Sequence, residues 1–159
     1  MTQHVVAGTG HRPNKLGGYG PAPARKLREL ARDYLTLLGP SDVITGVALG
    51  WDTALGWAAV DIGLTLHAAV PFTGQERQWP AESQRQFRQL LACCSSVTIV
   101  SPGEYAPELM QVRNEWMVDR AHSIVALYDG SAGGTRNCIK YAERVGKPVA
   151  NLWPIWATC

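Results

Sequence analysis

The chain has 159 residues, enough for one domain with a sizeable core and too few for two ordinary ones. Hydrophobic residues make up 46% and charged residues 18%, a balance that excludes a disordered chain. The net charge is +2 with no block of Lys or Arg, so nucleic acid is not an expected partner, and no apolar run reaches the roughly 20 residues of a membrane span.

A small anionic ligand needs only one or two placed cations, and such a ligand stays open. Cys93, Cys94, Cys138 and Cys159 form no CxxC pair, so neither a disulfide framework nor a metal site is expected. Cys159 is given no role. The start MTQHVVAG lacks the basic and apolar segments of a secretory signal. These features read as a reduced, cytoplasmic protein without metal or cofactor.

Short apolar runs at 4–8, 42–46, 65–70, 96–100, 123–128 and 148–152 alternate with segments of helical period. Being rich in Val, Ile and Leu on both faces, they read as strands of a parallel sheet covered on each side. Leu27, Leu30, Ala31, Tyr34 and Leu38 form the apolar face of the first helix, which Gly39-Pro40 stops. Phe87, Leu90, Leu91 and Cys94 make another face, and Ile139, Ala142 and Val145 a last one. This alternation predicts an α/β fold: a single doubly wound, Rossmann-like domain over 1–159 with a mainly parallel sheet of about six strands. Ligands of such folds bind beyond the carboxyl ends of the strands, which directs attention to the segments that follow them.

The first strand leads into Gly8-Thr9-Gly10-His11-Arg12-Pro13. Gly10 can take positive φ and admits close approach. Pro13 pushes Arg12 towards extended backbone, from which its guanidinium can grip a phosphate or carboxylate. Neither GxGxxG nor the Walker pattern fits, and a plain glycine turn with a surface Arg is an equal reading. His11 either orients a ligand or finishes the turn.

The second strand precedes Gly50-Trp51-Asp52 and a helix of small residues. Gly50 and the helix start offer free N–H groups to an anion. Asp52 is either a helix cap or a ribose acceptor, the cap being favoured, and Trp51 either stacks on a base or covers the core. After the third strand, Gln75, Glu76 and Trp79 sit in a loop long enough to reach over a ligand. A helix over 111–119 carries Arg113 and Asn114, which on a helix are ordinarily solvated. The fifth strand runs into Asp129 and then Gly133-Gly134-Thr135, a second glycine turn at the positive end of a helix.

TGHRP, GVALGWD, PFTGQERQW, RN and YDGSAGGT, in this order, resemble the YpsA-like branch of the SLOG superfamily, related to LONELY GUY and DprA-type domains. The resemblance runs from Gly8 to about Ala142 and implies a Rossmann-like fold that binds nucleotides or nucleotide-derived ligands. Some SLOG relatives sense such ligands in bacterial and phage conflict systems. It places Gly10, Arg12, Gly50, Asp52, Gly133, Gly134 and Thr135 around a ligand. LONELY GUY enzymes hydrolyse N-glycosidic bonds with the glutamate of PGGxGTxxE, and Cys138 stands at that position here.

Two readings follow. In the first the chain binds a nucleotide-like ligand, such as ADP-ribose or a nucleoside phosphate, as a sensor or sequestering module. Amides near Gly10, Gly50 and Gly133–Thr135 and the Arg12 charge would hold phosphate; Thr9, His11, Gln75, Arg113, Asn114 and Asp129 would complete the site, with Trp51 or Trp79 as stacking plane. In the second the chain cleaves or transfers an N-glycosidic bond, with Glu76 or Asp129 as the catalytic carboxylate. A single-strand nucleic-acid module is disfavoured by the low charge, and a homo-oligomer is open, with Trp153 and Trp156 packing on the sheet edge or on another subunit.

Overall fold

The computed structural model describes residues 3–158, so Cys159 lies outside it. Six strands, β1 (Val5–Gly10), β2 (Asp42–Thr45), β3 (Thr65–Val70), β4 (Ser96–Ile99), β5 (Ser123–Leu127) and β6 (Val149–Asn151), pair in the order β4-β3-β2-β1-β5-β6. Every pairing is parallel. The helices are α1 (Pro21–Leu38), α2 (Trp51–Asp61), α3 (Ala81–Ala92), α4 (Leu109–Arg120), α5 (Gly134–Arg144) and α6 (Trp153–Ala157), with a short 3-10 turn at Pro13–Lys15.

Right-handed crossovers decide the layering. The chain steps outwards from β1 to β4, which puts α1, α2 and α3 on one face. It then crosses back to β5 and β6, which puts α4 and α5 on the other. The core divides accordingly. Leu27, Leu35, Trp51, Leu55 and Leu90 bury against Val6, Val43, Leu66 and Val70 on the first face. Met117, Val118, Cys138 and Ala142 bury against Val5, Ala7, Ile44 and Ala69 on the second.

The direction of travel reverses between β1 and β5, the topological switch at which such sheets open a crevice. Five β1 residues, Val6 to Gly10, pair with Ser123 to Leu127 there. His11 N–H donates to the Leu127 carbonyl at 3.2 Å and prolongs that ladder.

Two expectations change. Strand 96–100 is not covered on each side: Ser96, Val97 and Ile99 are exposed, because β4 is the outer strand and α3 leans towards α2. The tail packs within the chain. Lys26 lies over the Trp156 ring, and Trp153 meets the His11 ring edge-on at 6.1 Å. No helix among the described residues is long and apolar enough to cross a membrane.

Candidate functional site

A cleft of about 500 Å³ opens at the switch between the end of β1, the start of α2, α4 and the start of α5. Its β1 wall is set by packing. A Cβ on Gly10 would stand 2.5 Å from Trp51 Cδ1, and one on Gly8 would collide with Leu55 Cδ2. Gly10 is not in the left-handed region, contrary to expectation; it is glycine because Trp51 Cβ, Cγ and Cδ1 press against β1 there. Trp51 itself has no exposed surface, so it offers no stacking plane.

Gly50 does adopt positive φ, at 91°, and presses on the neighbouring loop, where a Cβ would lie 2.6 Å from the His11 carbonyl oxygen. The Trp51 N–H donates to that same carbonyl at 3.3 Å. Gly50 therefore joins α2 to the β1 loop and lines a separate groove of about 560 Å³ between α1, α2 and α3. It is not among the residues around the cleft.

Asp52 is no helix cap, since α2 makes no side-chain cap bond. Its carboxyl is buried on the floor of the cleft, and Oδ1 has no hydrogen-bond partner among the described residues. Burial pushes this carboxyl up to about 6, against the opposing pull of Arg113, the Ala48 N–H and Arg12.

Arg113 is only 3% exposed rather than solvated. Nη1 donates to the carbonyls of Gly46 at 2.7 Å and Ala69 at 3.1 Å, and Nε donates to Asn114 Oδ1 at 3.2 Å. Burial lowers its pKa and Asp52 raises it. A guanidinium nevertheless stays charged in a protein. A Cβ on Gly46 would lie 2.5 Å from Arg113 Nη1 and 2.9 Å from Asp52 Oδ2, so this glycine lets the two charged groups close on the main chain. The next residue, Val47, is β-branched and buried yet sits at φ 51°, a strained position beside the site.

The opposite wall is the start of α5. Gly133 has φ 146° and ψ −166°, a conformation open to glycine, and no side chain caps the helix. Its first N–H groups are thus left for a ligand, with Thr135 beside them. Asn114 Nδ2 donates to Gln111 Oε1 at 3.3 Å and lies 3.5 Å from the Gly134 carbonyl, tying α4 to this turn. Arg12 is exposed and extended, with φ −85° and ψ 167°, as the following Pro13 requires.

His11 and Asp129 lock the two loops together. His11 Nε2 is 2.8 Å from Asp129 Oδ1 and 3.0 Å from the Asp129 N–H, and one nitrogen cannot serve both. The Ser131 hydroxyl and N–H, with help from His11, hold the Asp129 carboxyl well below its ordinary range. An ionised Asp129 favours donation from Nε2–H to Oδ1. The same oxygen accepts from Ser131 N–H at 2.9 Å and Ser131 Oγ at 2.5 Å, so Asp129 positions loops and does not line the cleft.

Thr9, Gly10, His11, Arg12, Asp52, Arg113, Asn114, Gly133, Gly134 and Thr135 converge on the cleft; Gly50, Trp51, Gln75, Glu76, Trp79 and Asp129 do not line it. Gln75 turns inwards, its Nε2 donating to the Gly46 carbonyl at 3.3 Å. Trp79 packs edge-on against Phe87 at 5.4 Å, so the loop does not reach over the site. Lys15, Asn14, Met110, Gln111 and Asn137 line the cleft without having been foreseen. Lys15 follows Arg12 by three residues, one turn of the 3-10 helix, which was the available signal. Cys138 is 1% exposed, and burial pushes its thiol up to about 11, so no ionised group stands where LONELY GUY enzymes place their glutamate.

The chain belongs to the YspA SLOG family, whose model matches residues 6–146. It is 35% identical over 136 residues to the uncharacterized SPbeta prophage-derived protein YoqJ of Bacillus subtilis (strain 168), covering 75% of this chain and 79% of that protein. It is 25% identical over 158 residues to a UPF0398 protein of Bacillus cereus (strain B4264), covering 90% and 84%.

Among solved structures, the fold is that of the DNA processing protein A (DprA) from Streptococcus pneumoniae, with TM-score 0.67 and 20% identity; the chain covers 49% of that protein's length. DprA from Helicobacter pylori, described by its single-stranded DNA binding mode, gives TM-score 0.66 at 16% identity over 64% of its length. The molybdenum cofactor binding protein from Rippkaea orientalis gives 0.61 at 15% identity over 76% of its length. The expectation against nucleic acid is thereby corrected: a low net charge does not exclude it, because a protein of this fold binds single-stranded DNA.

Proposed function

We propose that the cleft binds a phosphate-bearing, nucleotide-like ligand, such as ADP-ribose or a nucleoside phosphate, and that the protein acts as a sensor or sequestering module in a reducing bacterial or prophage setting. One observation carries this reading. The uncapped start of α5 and the cations Arg12, Lys15 and Arg113 surround one cleft, in which Asp52 is the sole carboxyl among the lining residues.

The phosphate sits on the α5 amides and is neutralised by Arg12. A ligand hydroxyl donates to the unpartnered Asp52 Oδ1. With Trp51 and Trp79 turned away, the planar group rests on Met110 of α4 and on Pro107 just before that helix. Solved proteins of this fold described as binding single-stranded DNA or the molybdenum cofactor support a phosphate-type ligand. N-glycosidic cleavage is the weaker reading, because Glu76 and Asp129 lie outside the cleft and only Asp52 is placed for acid–base work.

A thermal-shift panel of AMP, IMP, ADP-ribose and a short oligothymidine, followed by calorimetry, tests the reading. One member should stabilise the chain, and Arg12→Ala should weaken it at least tenfold. A panel with no binder, or a binder indifferent to Arg12→Ala, overturns it.

A further inference from the structure

A second constellation lies on the α4 and α5 face of the sheet, at the amino-terminal ends of the strands and away from the cleft. Asp42 opens β2, Ser96 opens β4, and His67 stands between them on β3, directly opposite Ser96 in the register. Ser96 Oγ is 2.7 Å from His67 Nδ1, and His67 Nε2 is 2.8 Å from Asp42 Oδ2. An ionised carboxylate can only accept, so Nε2 carries the ring proton and Nδ1 accepts from the serine hydroxyl. Burial raises the Asp42 carboxyl, but hydrogen bonds from His67, Ser41 and Gln3 outweigh it and keep the group below its usual range. Three adjacent strands therefore align an acid, a base and a hydroxyl in a chain of two hydrogen bonds.

We propose that Ser96, His67 and Asp42 form a nucleophilic site that cleaves unhindered carboxylic esters, separate from ligand binding in the cleft. Such a relay is defined by the roles its groups can play, and here each group has the partner its role needs. The site is open. The helices α4 and α5 gather over β1, β3, β5 and β6, which leaves Ser96 exposed, while His67 and Asp42 keep only 29% and 13% of their side-chain surface. The nucleophile thus faces solvent and its orienting groups are sheltered. β4 is also the outer strand, so among the described residues alternate N–H groups along its free side have no strand partner and can receive an oxyanion beside Ser96. Strands rather than loops hold all three side chains, which favours a fixed geometry.

The reaction balances within these groups. Ser96 Oγ bonds to the ester carbonyl carbon while its proton passes to His67 Nδ1. The C–O bond to the alcohol then breaks, and the leaving oxygen takes that proton. Water repeats the sequence on the acyl-serine, so the carboxylic acid departs and the Ser96 hydroxyl is restored. Asp42 steadies the imidazolium between the two proton transfers.

The full chain is incubated with a fluorophosphonate, which reports the nucleophile without requiring a known substrate, and adducts are located by peptide mass spectrometry. The expected result is one adduct on Ser96, none in Ser96→Ala, and labelling slowed at least tenfold in His67→Gln and Asp42→Asn. Arg32→Ala should label at the wild-type rate, since Arg32 is exposed on α1, on the opposite face of the sheet. Absence of an adduct, adducts spread over exposed serines such as Ser95, or a rate unchanged by His67→Gln would overturn the proposal. Thermal melts check that each variant is folded. If Ser96→Ala is not, Ser96→Cys replaces it: iodoacetamide must then alkylate that cysteine faster with His67 present than in the Ser96→Cys/His67→Gln chain.

Discussion

At the end of β1 a Cβ on Gly10 would stand 2.5 Å from Trp51 Cδ1, whereas at the start of α5 a Cβ on Gly133 or Gly134 would meet nothing within 4 Å. Both turns are glycine-rich, both follow a central strand, and both line one cleft. The first is glycine because a helix lies against it. Seating Trp51 on β1 brings α2 close enough to lay Asp52 on the cleft floor. The second is glycine because the chain must turn at φ 146° and leave its amides bare. Glycine near a candidate phosphate site therefore marks either close packing or open backbone, and only the neighbours distinguish them.

If the β1 side is a packed wall, its largest effect comes from removing the indole. Trp51→Ala should cost about 3–5 kcal/mol in urea unfolding, and a loss below about 1 kcal/mol would remove the distinction between the turns.

The buried carboxyl behind that wall gives the next effect. The Asp52 pKa rises from 3.8 to about 6 on folding, so the unfolded chain releases its proton first as pH climbs. Its contribution is therefore neutral below about pH 4, turns unfavourable between about 4 and 6, and levels off above, a loss of order 3 kcal/mol. Stability measured across that window should fall in the wild type relative to Asp52→Asn; parallel curves would contradict the placement of Asp52.

Gly10→Ala should cost about 1–3 kcal/mol by overpacking. In the Trp51→Ala background the contacts with Cδ1 and Cγ are gone while the Cβ at 2.6 Å remains, so part of that cost should vanish, and additive losses in this cycle would deny that the indole is what Gly10 accommodates. The smallest effect is expected across the cleft, where Gly134→Ala should change stability by no more than about 0.5 kcal/mol.

The same contrast explains what the sequence made legible. All six strands could be read because apolar runs bounded by turns need no tertiary information; 65–70 matches β3 residue for residue. The first strand was cut short at Gly8 because glycines signal a turn, although here they permit contact and the strand reaches Gly10. Arg113 could not be recognised as buried, since the carbonyls that hold it belong to Gly46 and Ala69, distant in sequence and brought together by the crossover. Trp79 and Glu76 looked available because a long polar loop suggests reach; Phe87 holds the indole elsewhere. The α4 wall with Met110 and Gln111 depends on the reversal of strand order, which no local pattern encodes.

Two clefts of similar size flank the contact between the β1 loop and Gly50, one holding Arg12 and the other Arg25. The central claim assigns the phosphate-bearing ligand to the first. Calorimetric titration of the best binder from the nucleotide panel into wild type, Arg12→Ala and Arg25→Ala tests this directly. The account predicts at least a tenfold weakening in Arg12→Ala and none in Arg25→Ala; loss of binding through Arg25, with Arg12→Ala unchanged, would contradict it.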